Sequence, residues 1–477
     1  MDNKPDLHPI RTIGVVGMGY VGIPSAVLFA HSEKFSHVIG FQRNSRSSGH
    51  KIDLLNRGIL PLQGEEPDLE WMLREVVAYE KFTCTSDFFQ ISSCDAVTLA
   101  IQTPFSDPTD LVPDFSALEE GIRMVGKNLS PGVLIVLEST ITPGTTCGYA
   151  RNLLEYESGL KAGRDFFLAH APERVMVGRL IQNIREHDRV VGGIDEASTL
   201  RATELYQPVL TKGRIIPMSA TAAEATKTAE NTFRDLQIAA ANQLALYCEA
   251  MGINFYDVRT GINSLKGEGI TRSILWPGAG VGGHCLTKDT YHLERGVTIA
   301  GVESLDYPAG MESLFVLARH INDFMPNHMF TLLSRGLVRA GKDLSGARVA
   351  LLGWSFLANT DDARNTPSEP FRNLCLQAGM DVKVHDPWVG EYAGVSISRD
   401  LSEVVYGVDA VVIFTGHREY QRLEPDNLYV LVSQKPVIVD GRNMIDPDTF
   451  INAGFIYKGI GRGDKNGHPL VHLKRSY

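Results

Sequence analysis

One cysteine of this sequence lies in a segment so rich in glycine that its sulfur would be open to approach. The segment, residues 277–289, reads PGAGVGGHCLTKD and contains Cys285. A nucleophilic cysteine needs a stabilised thiolate, an accessible sulfur and a neighbouring group that handles protons. Lys288 and Asp289 follow closely enough to shape such a site. His284 is expected to be structural, because adjacent side chains of an extended chain point to opposite sides.

A second pair of polar residues lies on a predicted long helix. Lys227 and Asn231 are four residues apart, which places them on one helix face. Together they could aim a cation and an amide donor at one oxygen atom, as an oxyanion site requires. The alternative is a solvated helix face, and the spacing alone favours that alternative.

The N-terminal part of the chain carries a glycine motif for binding a dinucleotide. Gly17, Gly19 and Gly22 form GMGYVG after a buried strand and at the start of a helix, with Tyr20 and Val21 between the last two glycines. In this setting the first glycine permits a tight turn and the second lets a pyrophosphate approach the backbone. The helix N-terminus offers N–H groups to the phosphates. The alternative is a purely structural turn between strand and helix.

The residues that follow the second predicted strand bear on the choice of cofactor. A dinucleotide fold expects an Asp or Glu there to grip the ribose, but this chain has Gln42 followed by Arg43. A neutral residue beside a cation could admit the extra phosphate of NADP. Alternatively, Gln42 bonds the ribose and Arg43 faces solvent. The sequence favours NAD and leaves NADP open.

The elements that would position these residues follow an alternating pattern. Buried strands alternate with helices in both halves of the chain, and a run without internal Gly or Pro extends from Ser219 to Gly252. The pattern predicts an α/β protein with two Rossmann-like, doubly wound parallel-sheet domains joined by a central long-helix domain. We place the NAD(P)-binding domain at residues 1–215, the central domain at 216–330 and the C-terminal α/β domain at 331–477.

Composition excludes several classes of protein. The chain has 477 residues and a net charge of -10, which argues against a nucleic-acid or anionic-membrane partner. No signal peptide or membrane-spanning stretch is expected, and the predicted location is the cytoplasm. The six cysteines form no metal-binding pattern, so no metal is predicted, and the five other than Cys285 are expected to be small buried hydrophobes.

Six ordered motifs give the whole chain a family resemblance. They are GVVGMGYVG, ESTITPGTT, APERV, KTAENTF, PGAGVGGHCLTKD and LLGWSFLANTDDARNTPS. In this order they resemble the UDP-glucose/GDP-mannose dehydrogenase family. The form GGHC, in place of GGSC, is similar to the branch that acts on UDP-N-acetylhexosamines of the N-acetylmannosamine, N-acetylglucosamine or N-acetylgalactosamine type.

The resemblance implies oxidation of the sugar's terminal hydroxymethyl group to a carboxylate with two cofactor molecules in succession. Cys285 would attack the intermediate aldehyde, and the resulting thiohemiacetal would be oxidised to a thioester that water cleaves. A water assisted by Asp289 would take the alcohol proton. Lys227 and Asn231 would stabilise the oxyanion, so the resemblance reverses the preference for a solvated helix face.

The resemblance also implies the remaining site residues. Glu173 would assist the hydrolytic water, and Thr140 would order water beside it. Predicted cofactor contacts are Gly17, Gly19, Tyr20, Val21, Gly22, Gln42, Arg43, Thr103, Thr140 and Arg364. Predicted substrate contacts are Glu173, Arg174, Lys227, Asn231, Gly282, Gly283 and Cys285. The family's lysine after the aromatic residue of the last motif is missing, because Leu357 stands there.

The family further implies a homodimer or larger homo-oligomer built on the central helix, with products that feed surface polysaccharide or glycan assembly. Three alternatives stay open at this point. The first is a UDP-glucose 6-dehydrogenase, and the second is a two-electron dehydrogenase of the 3-hydroxyacid type, which needs no nucleophilic sulfur. The third is a sensor that kept the fold and lost turnover.

Overall fold

The computed structural model describes residues 8–46, 48–62, 66–104, 112–174, 178–265, 273–299 and 312–467, with only the backbone for residues 297–299. Within these ranges the chain forms two compact units. The first unit comprises residues 1–231 and 288–309, and the second comprises residues 232–287 and 310–477.

The first unit is built on an eight-stranded sheet. Its strands are β1 (Thr12–Val16), β2 (His37–Phe41), β3 (Phe82–Thr85), β4 (Ala96–Leu99), β5 (Leu134–Leu137), β6 (Phe167–His170), β7 (Arg189–Gly193) and β8 (Ile215–Ser219). Their order in the sheet is β3-β2-β1-β4-β5-β6-β7-β8. The central strands β4, β5 and β6 are buried at every position, as expected for a sheet covered on both faces.

Helices cover this sheet between the strands. They are α1 (Gly22–His31), α2 (His50–Asn56), α3 (Leu69–Ala78), α4 (Ser116–Lys127), α5 (Arg151–Ser158), α6 (Leu180–Glu186) and α7 (Glu196–Tyr206). Two clusters of buried apolar side chains pack between the helices and the sheet. Strand, helix and strand follow one another as the sequence pattern predicts.

One strand of the first sheet reverses direction. Strand β7 pairs antiparallel with β6, with His170 opposite Gly192 and Ala169 opposite Gly193, and parallel with β8. The other strand pairs of this sheet are parallel. Strand β7 therefore begins at the edge of the sheet where β6 ends, and Glu173 follows β6 at that edge.

The long helix predicted between the two sheets is present as α8 (Ala220–Ala250), and the boundary between the units falls within it, after Asn231. Gly252 follows with a φ of +70°. Its N–H donates to the Glu249 carbonyl over 3.1 Å, and the Ile253 N–H donates to the Cys248 carbonyl over 2.9 Å. Gly252 thus ends the helix in the left-handed conformation that glycine adopts without strain.

The second unit contains a six-stranded parallel sheet. Its strands are β9 (Arg348–Leu352), β10 (Asp381–His385), β11 (Ile397–Ser398), β12 (Ala410–Ile413), β13 (Val437–Asp440) and β14 (Ile456–Gly459), in the order β11-β10-β9-β12-β13-β14. The remaining helices are α9 (Phe255–Ser264), α10 (Asp289–Ile299), α11 (Leu314–Ala340), α12 (Ser368–Gln377), α13 (Leu401–Val405), α14 (Pro425–Tyr429) and α15 (Pro447–Asn452). Helix α10 belongs to the first unit and the others to the second.

These two sheets and the helices between them in the chain confirm the predicted fold class. The domain boundaries at residues 215 and 330 stay a prediction. None of the helices in the described ranges is long and apolar enough to cross a membrane.

The cysteines differ from expectation at one position. Cys84, Cys94, Cys248 and Cys375 are buried, as predicted, and Cys285 is partly exposed. The prediction was wrong for Cys147, which is exposed. It lies on the helical turn Thr146–Ala150, where Thr146 and Ala150 face the interior and Cys147 does not.

Candidate functional site

The glycine motif of the first unit has the geometry of a dinucleotide-binding turn. Gly17 has a φ of +100°, and a Cβ at this residue would lie 2.6 Å from the Ala100 carbonyl oxygen. A Cβ at Gly22 would lie 1.9 Å from the Gly17 carbonyl oxygen. A Cβ at Gly19 would meet nothing within 4 Å. The outer glycines are therefore required by packing, whereas Gly19 leaves space that a ligand can use.

This turn fits the pyrophosphate of NAD. Helix α1 begins at Gly22 and has no acidic residue in its first turn, so no carboxylate opposes an anion at its positive end. Tyr20 and Val21 are the residues that lead into the helix. The open side of Gly19 is where a phosphate could approach the backbone.

The side chains of Gln42 and Arg43 already have protein partners. Gln42 Oε1 accepts a hydrogen bond from the Met18 N–H over 3.1 Å, and its Nε2 donates to Ser48 Oγ over 2.9 Å. Arg43 forms an ion pair with Glu120, and both side chains are more than half exposed, at 57% and 53%. Gln42 thus fastens the glycine turn to the residues after β2, and Arg43 would have to exchange a carboxylate for a phosphate to bind NADP.

A chain of hydrogen bonds links Lys288 to two of the predicted cofactor residues. Lys288 Nζ is buried and donates to the carbonyl oxygen and the Oγ1 of Thr103, over 2.7 and 2.9 Å. Thr103 Oγ1 in turn donates to the Thr140 carbonyl over 2.7 Å. Lys288 therefore fixes the loops that follow β4 and β5, and it lies next to Asp289 in the sequence.

Asp289 and Asn231 meet inside the first unit. Asn231 Nδ2 donates to Asp289 Oδ2 over 2.5 Å, and Asp289 Oδ1 has no hydrogen-bond partner among the described residues. Asp289 is fully buried, and burial raises the pKa of its carboxyl group although Lys288 and Lys227 oppose that rise. A buried carboxylate with a raised pKa and a free oxygen is suited to accept a proton.

Lys227 lies one helical turn before Asn231 and is also buried, with 8% of its surface exposed. It makes no hydrogen bond within the described parts of the chain. A solvated helix face, which the spacing alone favoured, is therefore wrong for this part of α8. A buried cation without a hydrogen-bonding partner can stabilise an oxygen that becomes negative during a reaction.

Glu173 belongs to a buried cluster that the sequence did not predict. Its Oε2 accepts from Arg189 Nη1, and its Oε1 accepts the Arg174 N–H over 2.8 Å. Arg189 also donates through Nη2 to Glu138 Oε1 over 2.9 Å, and Tyr206 Oη donates to the same oxygen over 2.8 Å. Glu138 is the first residue of the ESTITPGTT motif and follows β5, whereas Arg189 of β7 and Tyr206 of α7 belong to none of the six motifs, so the sequence does not indicate that these residues meet.

Arg174 is engaged by another residue of α8. Its Nε and Nη2 donate to the two carboxylate oxygens of Glu230 over 2.7 and 3.0 Å, and its Nη1 donates to the Asp188 carbonyl over 3.2 Å. A paired guanidinium of this kind is held in place. The predicted substrate contact of Arg174 stays a prediction.

The segment around Cys285 packs against the last sequence motif within the second unit. The Gly283 N–H donates to the Arg364 carbonyl over 2.9 Å, and Asn365 Nδ2 donates to the Gly283 carbonyl over 3.1 Å. A Cβ at Gly282 would lie 2.6 Å from the Cβ of Phe356, and one at Gly283 would lie 2.8 Å from the ring of Phe356. These two glycines therefore allow the segment to pack closely beside residues 356–365.

Arg364 and Leu357 lie in that neighbouring motif. Arg364 donates through Nε and Nη2 to the two carboxylate oxygens of Asp362, over 2.8 and 2.5 Å. The Leu357 carbonyl accepts from the hydroxyls of Ser355 and Thr360, each over 3.0 Å. Leu357 thus supports the loop through its backbone, and its side chain supplies no charge in place of the family's lysine.

The described residues contain no group of three or more His, Cys, Asp or Glu that could hold a metal ion.

Three family models match consecutive parts of the chain. They are the NAD-binding domain, the central domain and the UDP-binding domain of the UDP-glucose/GDP-mannose dehydrogenase family, at residues 11–210, 221–314 and 350–447. Together they cover more than half of the chain. The protein belongs to this family. It is an NAD-dependent oxidoreductase and a nucleotide-sugar dehydrogenase, and the predicted resemblance and the predicted NAD cofactor are confirmed.

Relatives and solved structures agree with this membership over almost the full length. The chain is 37% identical over 452 residues to a UDP-N-acetyl-D-mannosamine dehydrogenase of Pyrococcus horikoshii, covering 95% of this chain and 99% of the relative. It is 30% identical to an NDP-N-acetyl-D-galactosaminuronic acid dehydrogenase of Ralstonia nicotianae, covering 93% and 98% of the two chains. The crystal structure of an NDP-N-acetyl-D-galactosaminuronic acid dehydrogenase from Methanosarcina mazei Go1 is 68% identical, with a TM-score of 0.87 over 96% of this chain and 97% of that one.

Proposed function

We propose that this protein oxidises the terminal hydroxymethyl group of a UDP-N-acetylhexosamine to a carboxylate in two NAD-dependent steps, through a covalent intermediate on Cys285. The observation that carries the proposal is the group of Lys227, Asn231 and Asp289, in which Lys227 and Asp289 are buried and Asn231 is partly buried. It combines a cation, an amide donor and a proton acceptor. Cys285 precedes Asp289 by four residues, so the chain limits the separation of their Cα atoms to about 14 Å.

In the first step the alcohol carbon loses a hydride and its hydroxyl loses a proton, which yields the aldehyde. NAD, when bound, supplies the acceptor for that hydride. Asp289 takes the hydroxyl proton through a water, because burial raises its pKa and one of its oxygens is unpaired among the described residues. Lys227 and Asn231 stabilise the alkoxide that forms as the proton leaves.

The second step is covalent. The Cys285 thiolate adds to the aldehyde carbon, and the new oxyanion lies against Lys227 and Asn231. Loss of a second hydride from that carbon converts the thiohemiacetal into a thioester. A sulfur nucleophile is needed because it holds the aldehyde while the first reduced cofactor is exchanged for an oxidised one.

Hydrolysis completes the reaction. Glu173 takes a proton from a water that adds to the thioester carbonyl, and the C–S bond breaks to release the carboxylate and the Cys285 thiol. In total, one alcohol, two NAD⁺ and one water give one carboxylate, two NADH and three protons. Thr140 lies two residues after Glu138 at the end of β5 and would orient that water.

The identity of the sugar is proposed from the names of similar proteins. Relatives named for N-acetyl-D-mannosamine and N-acetyl-D-galactosaminuronic acid support a substrate with an acetamido group. We further propose a cytoplasmic enzyme that assembles at least as a homodimer through α8 and provides uronic acids for surface polysaccharide or glycan assembly. UDP-glucose is the competing substrate.

Replacing the nucleophile tests the proposal. Cys285→Ser should abolish formation of the sugar carboxylate, measured by mass spectrometry with UDP-N-acetyl-D-mannosamine, UDP-N-acetyl-D-galactosamine, UDP-N-acetyl-D-glucosamine and UDP-glucose. Cys147→Ser is the matched control, because Cys147 is exposed and lies outside the proposed site. Carboxylate formation at an unchanged rate in Cys285→Ser would refute the covalent path.

A further inference from the structure

We propose that Glu138 is a positioning residue for thioester hydrolysis, and that its charge, transmitted through their shared partner Arg189, controls how readily Glu173 takes a proton from water. This inference rests on the proposed function, because it assigns a control to the hydrolytic role of Glu173. It adds a residue that has no part in binding NAD or in the two hydride transfers.

The direction of β7 brings the three residues together. Glu138 follows β5 and Glu173 follows β6, so both lie beyond the carboxyl ends of neighbouring parallel strands. Strand β7 is antiparallel to β6, with His170 opposite Gly192, so Arg189 at the start of β7 lies beyond the carboxyl end of β6, where Glu173 follows. A parallel β7 would start at the other edge of the sheet, far from both carboxylates.

Arg189 binds the carboxylates of both Glu173 and Glu138. Arg189 uses Nη1 for Glu173 and Nη2 for Glu138 and for the Ala171 carbonyl, the last over 3.3 Å. Its guanidinium carbon lies 3.8 Å from the centre of the Tyr206 ring. The side chains of Arg189, Glu138 and Glu173 are 5%, 0% and 6% exposed. Solvent therefore screens the charges of these three side chains only weakly.

The cluster has one charge too many when both acids are ionised. Two carboxylates then share one guanidinium, and Glu138 Oε2 has no hydrogen-bond partner in the described structure. Burial raises the pKa of Glu138 to about 7; Arg189 opposes this rise and the charge of Glu173 adds to it. A proton on that unpaired oxygen would restore the balance.

Other titratable and charged groups surround the cluster and contribute to its charge balance. The elements packed around it contribute His170 at the end of β6, Tyr206 on α7, Lys227 and Glu230 on α8, and Arg174 and Asp188 between β6 and β7. Burial, aided by Arg189, lowers the pKa of His170 to about 3, so this ring is neutral near pH 7. Arg174 is paired with Glu230. Glu138, with a pKa of about 7, changes charge near neutral pH.

The consequence concerns the proton that Glu173 accepts. Above about pH 7, Glu138 is ionised, and protonating Glu173 relieves repulsion while leaving Arg189 paired. Below about pH 7, Glu138 is neutral, and protonating Glu173 would leave Arg189 buried without a counter-charge. Hydrolysis should therefore be faster when Glu138 is ionised.

The test measures the decay of the acyl adduct on Cys285 by rapid quench and mass spectrometry between pH 5.5 and 8.5, values of about 1.5 units either side of the Glu138 pKa. The probe is whichever of UDP-N-acetyl-D-galactosamine and UDP-N-acetyl-D-mannosamine gives two NADH per sugar. In the wild type the decay rate should rise with pH around pH 7, by up to about tenfold. Glu138→Gln should remove this rise and keep the low-pH rate throughout, since glutamine is neutral.

A second variant keeps the test valid if Glu138→Gln does not fold. Tyr206→Phe removes a donor from ionised Glu138 and should move the rise in decay rate to higher pH. Glu249→Gln is the matched control, because it neutralises another buried carboxylate whose partners are His328, Gly461 and Asn466. It should lower the melting temperature without moving the pH dependence.

The outcomes separate this inference from the proposed function. A wild type that forms no adduct on Cys285, or one NADH per sugar, contradicts the proposed function. Two NADH, a detectable adduct and an unchanged pH dependence in both Glu138→Gln and Tyr206→Phe contradict the role of Glu138 alone. An equal decrease of the decay rate at every pH would show a merely structural role and also overturn the inference.

Discussion

At the scale of single residues, burial determines the chemistry of the site. Lys227 is a cation inside the first unit that makes no hydrogen bond within its described parts, and Asp289 is a carboxylate of which one oxygen is unpaired there. Both arrangements cost free energy in the resting protein. Lys227 gains a favourable interaction when a substrate oxygen becomes negative, and Asp289 gains one when it accepts the substrate's proton. Both residues therefore stabilise the transition state more than the resting site.

Removing the Lys227 charge should slow catalysis more than it weakens binding. Lys227→Ala should reduce kcat by about 100–1000-fold while KM for the UDP-sugar changes little, because the cation opposes a charge that develops in the transition state. Steady-state kinetics with the UDP-sugar and NAD measure both constants. Lys212→Ala, at an exposed lysine paired with Glu186, is the control and should behave as the wild type. A large rise in KM with kcat unchanged would assign Lys227 to binding instead.

At the scale of secondary-structure elements, the three glycines of the turn between β1 and α1 have different roles. Gly17 and Gly22 are required by the protein's own packing, whereas Gly19 borders open space. The same residue type thus serves folding at two positions and ligand approach at the third. The sequence motif alone does not distinguish these roles.

Alanine substitutions should separate folding from cofactor binding. Gly19→Ala should leave the melting temperature unchanged and weaken NAD binding by about tenfold or more, since the methyl group occupies the space that the pyrophosphate needs. Gly22→Ala should destabilise the fold by about 1–3 kcal/mol, because its Cβ would overlap the Gly17 carbonyl oxygen. Differential scanning calorimetry and NAD titration give the two quantities. Equal losses of stability in both variants would contradict this division.

Sequence analysis predicted the elements that have strong local signals. The glycine turn, the helix that ends at Gly252 and the alternation of buried strands with helices all follow from residue order, and each is present. The cluster of Glu138, Arg189 and Glu173 was not predictable, because it depends on the direction of β7 and on which strands become neighbours. Strand direction and strand pairing depend on contacts between residues far apart in the sequence, which local sequence patterns do not show.

Two other features illustrate the same limit. Glycines 282 and 283 were interpreted as giving access to the Cys285 sulfur, yet they also allow close packing against Phe356. Arg43 was considered as a phosphate ligand from its position beside Gln42, and its pairing with Glu120 depends on a residue 77 positions away in the sequence. In both cases the residue that makes the contact, Phe356 or Glu120, is known only from the tertiary structure.

At the scale of the whole molecule, the chain forms two units that each contain a sheet, and helix α8 extends from the first unit into the second. The chain passes from Lys227 and Asn231 in the first unit along α8 into the second, and returns from Cys285 to Asp289 at the boundary after Thr287. The NAD-binding family domain matches most strands of the first sheet, and the UDP-binding family domain matches most strands of the second. An NAD-binding domain and a UDP-binding domain in one chain support an enzyme that oxidises a nucleotide-sugar with NAD, which is the central claim of the proposed function.

The most direct measurement of that claim is the number of NADH molecules formed per sugar consumed. UDP-N-acetyl-D-mannosamine, UDP-N-acetyl-D-galactosamine, UDP-N-acetyl-D-glucosamine and UDP-glucose would each be supplied in limiting amount with excess NAD, and in parallel with NADP. The account predicts two NADH per sugar and a carboxylate product for one of the acetamido sugars. One NADH per sugar with an aldehyde product would contradict it, because oxidation would then end before Cys285 is needed.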